Sequence, residues 1–293
     1  MQSSFLKYLE YEKRYSKHTI SSYHADLTQF QSYLDSQFPD SSLEEVNYAL
    51  IRSWVISLVE EKLSPSSVNR KIASLRAYYK FLLRREIIDK DPTTKIRPLK
   101  TAKKLPQFVQ ENDIIRLLND FRFEESFEGY RDRIIMELLY GTGIRLSELI
   151  NLPVSNIDFH QNTLKVLGKR NKERVIPFTD VTSHLLQSYL NQKNNFFSGQ
   201  SAENLLVTNE GKPCYPMFVY RTVKKYLSLF TTLDKRSPHV LRHTFATHLL
   251  NKGADLNAVK DLLGHTSLAA TQVYTHNSIE KLKAAFEQAH PKA

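Results

Sequence analysis

A chain of 293 residues with 41% hydrophobic and 25% charged side chains has the composition of a globular protein, and its length favours two domains over one core. The 41 Lys and Arg against 31 Asp and Glu leave a formal charge of +10, which attracts polyanions, nucleic acid first among them. The single cysteine, Cys214, excludes an internal disulfide, and neither a signal-peptide core nor an apolar run long enough to span a bilayer is present, so a cytoplasmic protein is expected.

The first hundred residues read as helices. "SSFLKYLEYEKRY" sets Phe5, Leu6, Leu9 and Glu12 at helical spacing, and "KHTISSYHADLTQFQSYL" continues through Ile20, Tyr23, Leu27, Phe30 and Leu34. "ALIRSWVISLVEEKL" follows, then "SPSSVNRKIASLRAYYKFLLRREII", which opens on a Ser64 cap with proline at the first helical position. Four helices with short links predict a small helical domain over residues 1–88. With 18 basic and 12 acidic residues, positions 1–104 hold more than half of the net charge. Arg70, Lys71, Arg76, Lys80, Arg84 and Arg85 crowd the fourth helix with no acid among them, a pattern suited to a helix facing phosphates. Prolines, threonines and lysines without apolar period in "DKDPTTKIRPLKTAKKLPQF" predict a basic linker over 89–105.

From 106 to 293 the pattern is mainly helical with a small antiparallel sheet. "ENDIIRLLNDF", "YRDRIIMELLYGTG" and "RLSELINL" read as helices, the second stopped by Gly141 and Gly143. "NTLKVLG" and "RVIPF" flank "KRNKE" as a β-hairpin whose tip presents Lys169, Arg170, Lys172 and Arg174. "HLLQSYLNQK", "YPMFVYRTVKKYLSLF", "SPHVLRHTFATHLL" and "ADLNAVKDLLG" complete a helical body, with Gly264 closing the last of them.

Polar groups stand out against this apolar background. Arg145 follows a glycine turn at the mouth of a helix, and Glu148, three residues on, can brace its guanidinium. His239 and Arg242 share a helical face. His239 and His243 have the spacing of a metal pair, but no acidic or thiol third ligand lies near them, so neither a metal nor any other cofactor is expected. In "LLGHTSLAATQVYTH", His265 sits at the turn and Tyr274 on the helix after it. Two arginines, two histidines, a lysine and a tyrosine suit metal-free phosphoryl transfer. Guanidinium groups clamp the non-bridging oxygens, a tyrosine hydroxyl attacks, and a lysine or histidine handles the proton.

The series "GTGIRLSEL", "GKRNKERVIP", "HVLRHTFATHLL" and "LLGHTSLAATQVYTH" resembles the catalytic domain of the tyrosine recombinases, the integrase superfamily related in mechanism to type IB topoisomerases. The likeness covers about residues 106–290. The N-terminal stretches resemble the core-binding, SAM-like domain of the same enzymes, and within the family the chain is most like the Xer recombinases. The resemblance implies that Tyr274 forms a 3′-phosphotyrosyl link to DNA, that Arg145 and Arg242 clamp the transition state, and that Lys169 is the general acid. It further implies roles for His239 and His265 in hydrogen bonding and proton handling, with Glu148 in the supporting acidic position. The hairpin reads "GKRNK" where Xer enzymes carry glycine after the lysine, which leaves Lys172 as an alternative acid. Arg170 and Lys172 join the six basic residues of the fourth helix as expected DNA contacts.

By the same resemblance the protein is a site-specific recombinase of duplex DNA. It would act as a homo- or hetero-tetramer, resolving chromosome dimers at a dif-type site with a DNA translocase of the FtsK type. Each subunit would donate its C-terminal helix, "SIEKLKAAFEQAH", to a neighbour; a helix folded back on its own domain is the alternative. Integration or excision of a mobile element, relaxation of supercoils, and DNA-binding regulation without catalysis are the competing functions.

Overall fold

The computed structural model describes residues 1–102, 107–168, 173–264 and Phe286. The chain divides into two compact units, Met1–Lys104 and Leu105–Ala293.

The first unit is helical. Helix α1 (Gln2–Lys7) runs into a wider π-helical turn, Tyr8–Glu12, and is followed by α2 (Lys17–Gln37), α3 (Tyr48–Glu60) and α4 (Pro65–Arg84). Each later start has a capping side chain: Ser16 accepts from the Thr19 N–H, Asn47 from Ala49 and Leu50, and Ser64 from Ser67. Phe5, Leu27, Phe30, Leu34, Trp54 and Tyr78 are among the side chains that form the core, with Phe30 and Trp54 tilted against each other at 4.7 Å.

Two expectations for this unit are corrected. The predicted linker does not leave the domain at residue 88. Thr93 and Ile96 are buried, Arg76 donates to the Ile96 carbonyl, and Asn69 exchanges two hydrogen bonds with the main chain of Leu99, at 2.9 and 2.7 Å. A proline-rich, aperiodic segment needs no helix to be ordered; here α4 side chains satisfy its backbone. Nor do the basic residues of α4 form one free face. Lys71 is only 9% exposed and points inward to Asp26 (3.1 Å) and Gln29 (2.5 Å) of α2, and Arg70 reaches the same carboxylate at 2.5 Å. Arg84 donates to the Tyr8 hydroxyl, and Arg85 pairs with Glu12 at 3.4 Å. The acids missing from the helix's own sequence arrive from its neighbours. Lys80, Arg70, Arg84 and Arg85 remain exposed.

The second unit is built around α6 (Phe127–Gly141), which is buried from Ile134 through Gly141. Helices α8 (Asp180–Phe197), α9 (Pro216–Phe230) and α10 (Pro238–Asn251) pack on it. Before it lies α5 (Glu111–Ile115) with its own π-helical turn, Arg116–Asp120, and after it α7 (Leu146–Ile150). A three-stranded antiparallel sheet follows in the order β1 (Ile157–Asp158), β2 (Thr163–Leu167), β3 (Glu173–Pro177). The hairpin pairs Leu164 with Ile176 and Leu167 with Glu173, as the alternating sequence predicts, while β1, only two residues long, carries no such pattern. Helix α11 (Leu256–Leu263) starts on Asp255 and ends on Gly264 at φ +61°.

Helix α6 ends one residue later than the two-glycine stop suggests. Gly141 is its last helical residue, Thr142 caps it, and Gly143, at φ +60°, turns the chain toward α7. Phe286 is 2% exposed and packs 6.4 Å from Phe245 of α10 in the core of its own unit, so this residue of the C-terminal segment folds back. The other residues of that segment lie outside the described set.

Candidate active site

Three arginines converge on one helix end, and two of them share one carboxylate. Arg145 is the residue before α7, in an extended conformation, and Glu148 lies in the first turn. The Glu148 carboxylate accepts from the Arg145 main-chain N–H at 2.8 Å and from its guanidinium at 2.7 Å, so one side chain both satisfies the N–H at the helix start and braces the arginine. Arg174, on β3, donates Nη1 and Nη2 to the two oxygens of the same carboxylate at 2.6 and 2.8 Å. Arg242, on α10, donates to the carbonyls of Gly143 and Leu263.

All three guanidinium groups also cap α11. Arg174 Nε meets the Leu262 carbonyl at 3.1 Å, Arg242 Nη2 that of Leu263 at 2.5 Å, and Arg145 Nη2 that of Gly264 at 2.7 Å. The last carbonyls of a helix lack intrahelical partners and carry the negative end of its dipole, so three consecutive ones hold three cations. The cluster is nearly dry: Glu148 is 6%, Arg174 4% and Arg242 8% exposed, whereas the Arg145 side chain keeps 23% of its surface.

The ionisation of the cluster follows from this packing. Burial pushes the Glu148 carboxyl up, but the Arg174 hydrogen bonds and charge, joined by Arg145, outweigh it and hold the group below the usual carboxylate range. Arg242 is brought down to about 10 by burial first, then by the charges of Arg145 and Arg174. It stays cationic at neutral pH.

Of the residues expected to act together, the fold brings Arg145, Glu148 and Arg242 into one cluster. His239 lies one turn before Arg242 on α10 and is exposed; the His243 imidazole beside it is lowered by burial and then by the His239 charge. Among the described residues no group of three side chains is arranged to hold a metal ion. Lys169, Arg170, Lys172, His265 and Tyr274 lie outside the described residues. Gly168, which precedes Lys169, lines the same open groove as Arg145, Glu148 and Lys165.

Arg174 corrects the reading of the hairpin tip. It is not a solvated tip residue but the most enclosed cation of the cluster. The signal was its phase on β3: Glu173 points out to Lys165, so Arg174 and Ile176 point in.

The fold and this basic cluster define a class. Residues 107–281 match the phage integrase family, and residues 3–86 match the N-terminal SAM-like domain of phage integrases. The chain belongs to that family, the tyrosine recombinases, and is an enzyme that cleaves and rejoins DNA strands. Within it, the chain is similar to Tyrosine recombinase XerC of Chlorobaculum parvum, 36% identical, with 99% of this chain and 94% of the relative covered. Tyrosine recombinase XerD of Staphylococcus haemolyticus is also 36% identical, over 99% of this chain and 98% of the relative. In fold the chain resembles the XerH site-specific recombinase bound to difH substrate, with a TM-score of 0.73 at 20% identity over 97% of this chain and 84% of that one. Among the described residues no helix is long and apolar enough to cross a membrane.

Proposed function

We propose that this chain is a site-specific DNA recombinase whose nucleophile is Tyr274 and whose substrate is the scissile phosphate of a duplex recombination site. The observation that carries the reading is the convergence of Arg145, braced by Glu148, and of Arg242 at the end of the helix that precedes His265 and Tyr274 in the chain.

The chemistry follows from the groups in order. The Tyr274 hydroxyl attacks phosphorus, a P–O bond to tyrosine forms, and the bond to the 5′-oxygen breaks, leaving a 3′-phosphotyrosyl ester. Negative charge on the non-bridging oxygens is met by the guanidinium groups of Arg145 and Arg242. Both are held in place before DNA arrives. Lys169, on the hairpin that follows Gly168, protonates the leaving 5′-hydroxyl, and His239 and His265 assist proton movement and hydrogen bonding. A 5′-hydroxyl of the partner duplex then attacks the phosphotyrosine, which exchanges strands without ATP or a metal.

We assign the chain the biological task of the Xer recombinases it resembles. This is resolution of chromosome dimers in the cytoplasm at a dif-type site, by a tetramer formed with itself or a related recombinase and served by a translocase of the FtsK type. Two relatives named XerC and XerD at the same identity support that task without choosing between the two.

Trapping tests the reading. Incubated with genomic DNA, the wild-type chain leaves covalent adducts whose sequences cluster at one chromosomal site. Tyr274→Phe leaves none. Adduct formation by the Phe variant would remove Tyr274 from the mechanism. Adducts at the ends of a mobile element would move the task from dimer resolution to integration.

A further inference from the structure

We propose that Arg174 is a positioning residue of this active site, locking the hairpin, the Arg145–Glu148 pair and the end of α11 into one rigid unit. The inference rests on the roles assigned above to Arg145, Lys169 and Tyr274.

Each nitrogen of the Arg174 guanidinium has a partner. Two nitrogens of its fork span the two Glu148 oxygens, and the third meets the Leu262 carbonyl. It does not line the groove beside Gly168; Arg145 and Glu148 do. It therefore acts from behind. Glu148 Oε1 is shared between Arg174 and Arg145, so the plane of the Arg145 guanidinium depends on a carboxylate that Arg174 holds from the far side. Arg174 also sits five positions after Lys169 on the same hairpin, across the ladder from Val166, and bonds the helix two residues before Gly264. One side chain thus ties together the strand that follows Lys169 in sequence, the carboxylate that braces the clamp, and the helix end that precedes His265.

Stability alone does not account for it. A buried ion pair costs desolvation of both charges, and an apolar pair of similar volume serves packing equally well. A planar fork that fixes a carboxylate and a carbonyl at once is a device for orientation.

The test uses the full chain and two variants, Arg174→Met and Arg174→Lys, with Glu173→Gln as the neighbouring control. The probe is a nicked duplex carrying the sequence recovered through Tyr274 adducts. DNA binding stays near wild type in all variants. Adduct formation falls about 100-fold in Arg174→Met, the loss expected of a misplaced clamp. Arg174→Lys recovers little of it, because one ammonium cannot span two carboxylate oxygens and a carbonyl. Glu173→Gln is unaffected.

The pH profile separates positioning from packing. The charged groups facing Glu148 are Arg145 from the start of α7, Arg174 from β3 and Arg242 from α10, while α11 presents carbonyls. Without Arg174 the carboxyl takes up its proton at higher pH, so the acid limb of adduct formation moves upward in Arg174→Met. That move is absent from Glu148→Gln/Arg174→Met. A second readout needs no DNA: amide exchange across residues 143–149 and 262–264 speeds up in both Arg174 variants. Wild-type adduct rates in both variants, an unmoved acid limb, or unchanged exchange at 262–264 each overturn the inference. A wild-type chain that forms no adduct overturns the reading of Tyr274 as nucleophile, while the exchange measurement still decides whether Arg174 holds the cluster rigid.

Discussion

Arg242 joins the carbonyl of Gly143, 99 residues before it, to that of Leu263, 21 residues after it. One buried guanidinium thus fixes the turn that leads to Arg145 and the helix end that leads to His265. The arginine expected to clamp phosphate is already a structural tie. Arg242→Ala leaves both carbonyls without this donor in a dry site and lowers stability by about 3 kcal/mol, the loss expected when charged hydrogen bonds to buried groups are removed. The shift in urea midpoint at constant slope measures it. Arg242→Lys keeps the charge, reaches only one of the two carbonyls, and recovers less than half of the stability.

Glu148 gives the cluster a dependence on acid. Its folded carboxyl lies below the ordinary value, so it stabilises the fold fully above the unfolded value of 4.5 and loses that contribution as pH falls through the folded value. The stability of the catalytic unit therefore drops as pH is lowered from about 4.5, over a window set by the downward shift. Glu148→Gln flattens this part of the curve and costs about 3 kcal/mol at neutral pH, because it leaves Arg174 buried without its anion. Thermal melting from pH 3 to 7 reads both effects. An equally steep acid limb in the variant would refute the assignment.

Two glycines with almost the same backbone angle differ in what surrounds them. A Cβ on Gly143 would stand 2.4 Å from Cδ1 of Phe245, a buried ring of α10. A Cβ on Gly264 would meet the Arg174 side chain at 3.0 Å and Arg145 Nη1 at 3.4 Å. Both alanine variants pay about 1 kcal/mol for the left-handed conformation. Gly143→Ala adds overpacking of a further 1–3 kcal/mol, roughly, and is the less stable of the two by calorimetry. Gly264→Ala carries the backbone cost and crowds only the Arg174 side chain, so it melts between wild type and Gly143→Ala and its larger defect falls on adduct formation.

Much of this was legible in the sequence. The hairpin followed from alternation in "NTLKVLG" and "RVIPF", and the end of α11 followed from one glycine, because both signals are local. The pairing of Arg145 with Glu148 was legible for the same reason, being one helical turn. What escaped was long-range. Nothing near Arg174 announces that its carboxylate lies 26 residues upstream, and nothing near Lys71 announces Asp26, 45 residues before it. A count of charges along one helix cannot see acids delivered by another.

The basic helix α4 provides the last test, because its cations divide by what they touch. Lys71 is turned inward to Asp26 and Gln29, and Asp26 is itself 1% exposed and also takes the Ser74 hydroxyl at 2.7 Å. Lys71→Met therefore strands a buried carboxylate with one fewer donor and lowers stability by about 2 kcal/mol. The salt dependence of DNA binding is unchanged, since no phosphate contact has been lost. Lys80 is exposed, and Lys80→Ala leaves the melting temperature alone. If it neutralises a phosphate, it reduces the slope of log K against log salt by about 0.9. Arg70, half-exposed while paired with Asp26, falls between: Arg70→Ala costs some stability and some affinity. Titrations at several salt concentrations, run beside melting curves, sort the three variants. A Lys71→Met chain that keeps its stability but loses slope would return that lysine to the DNA face.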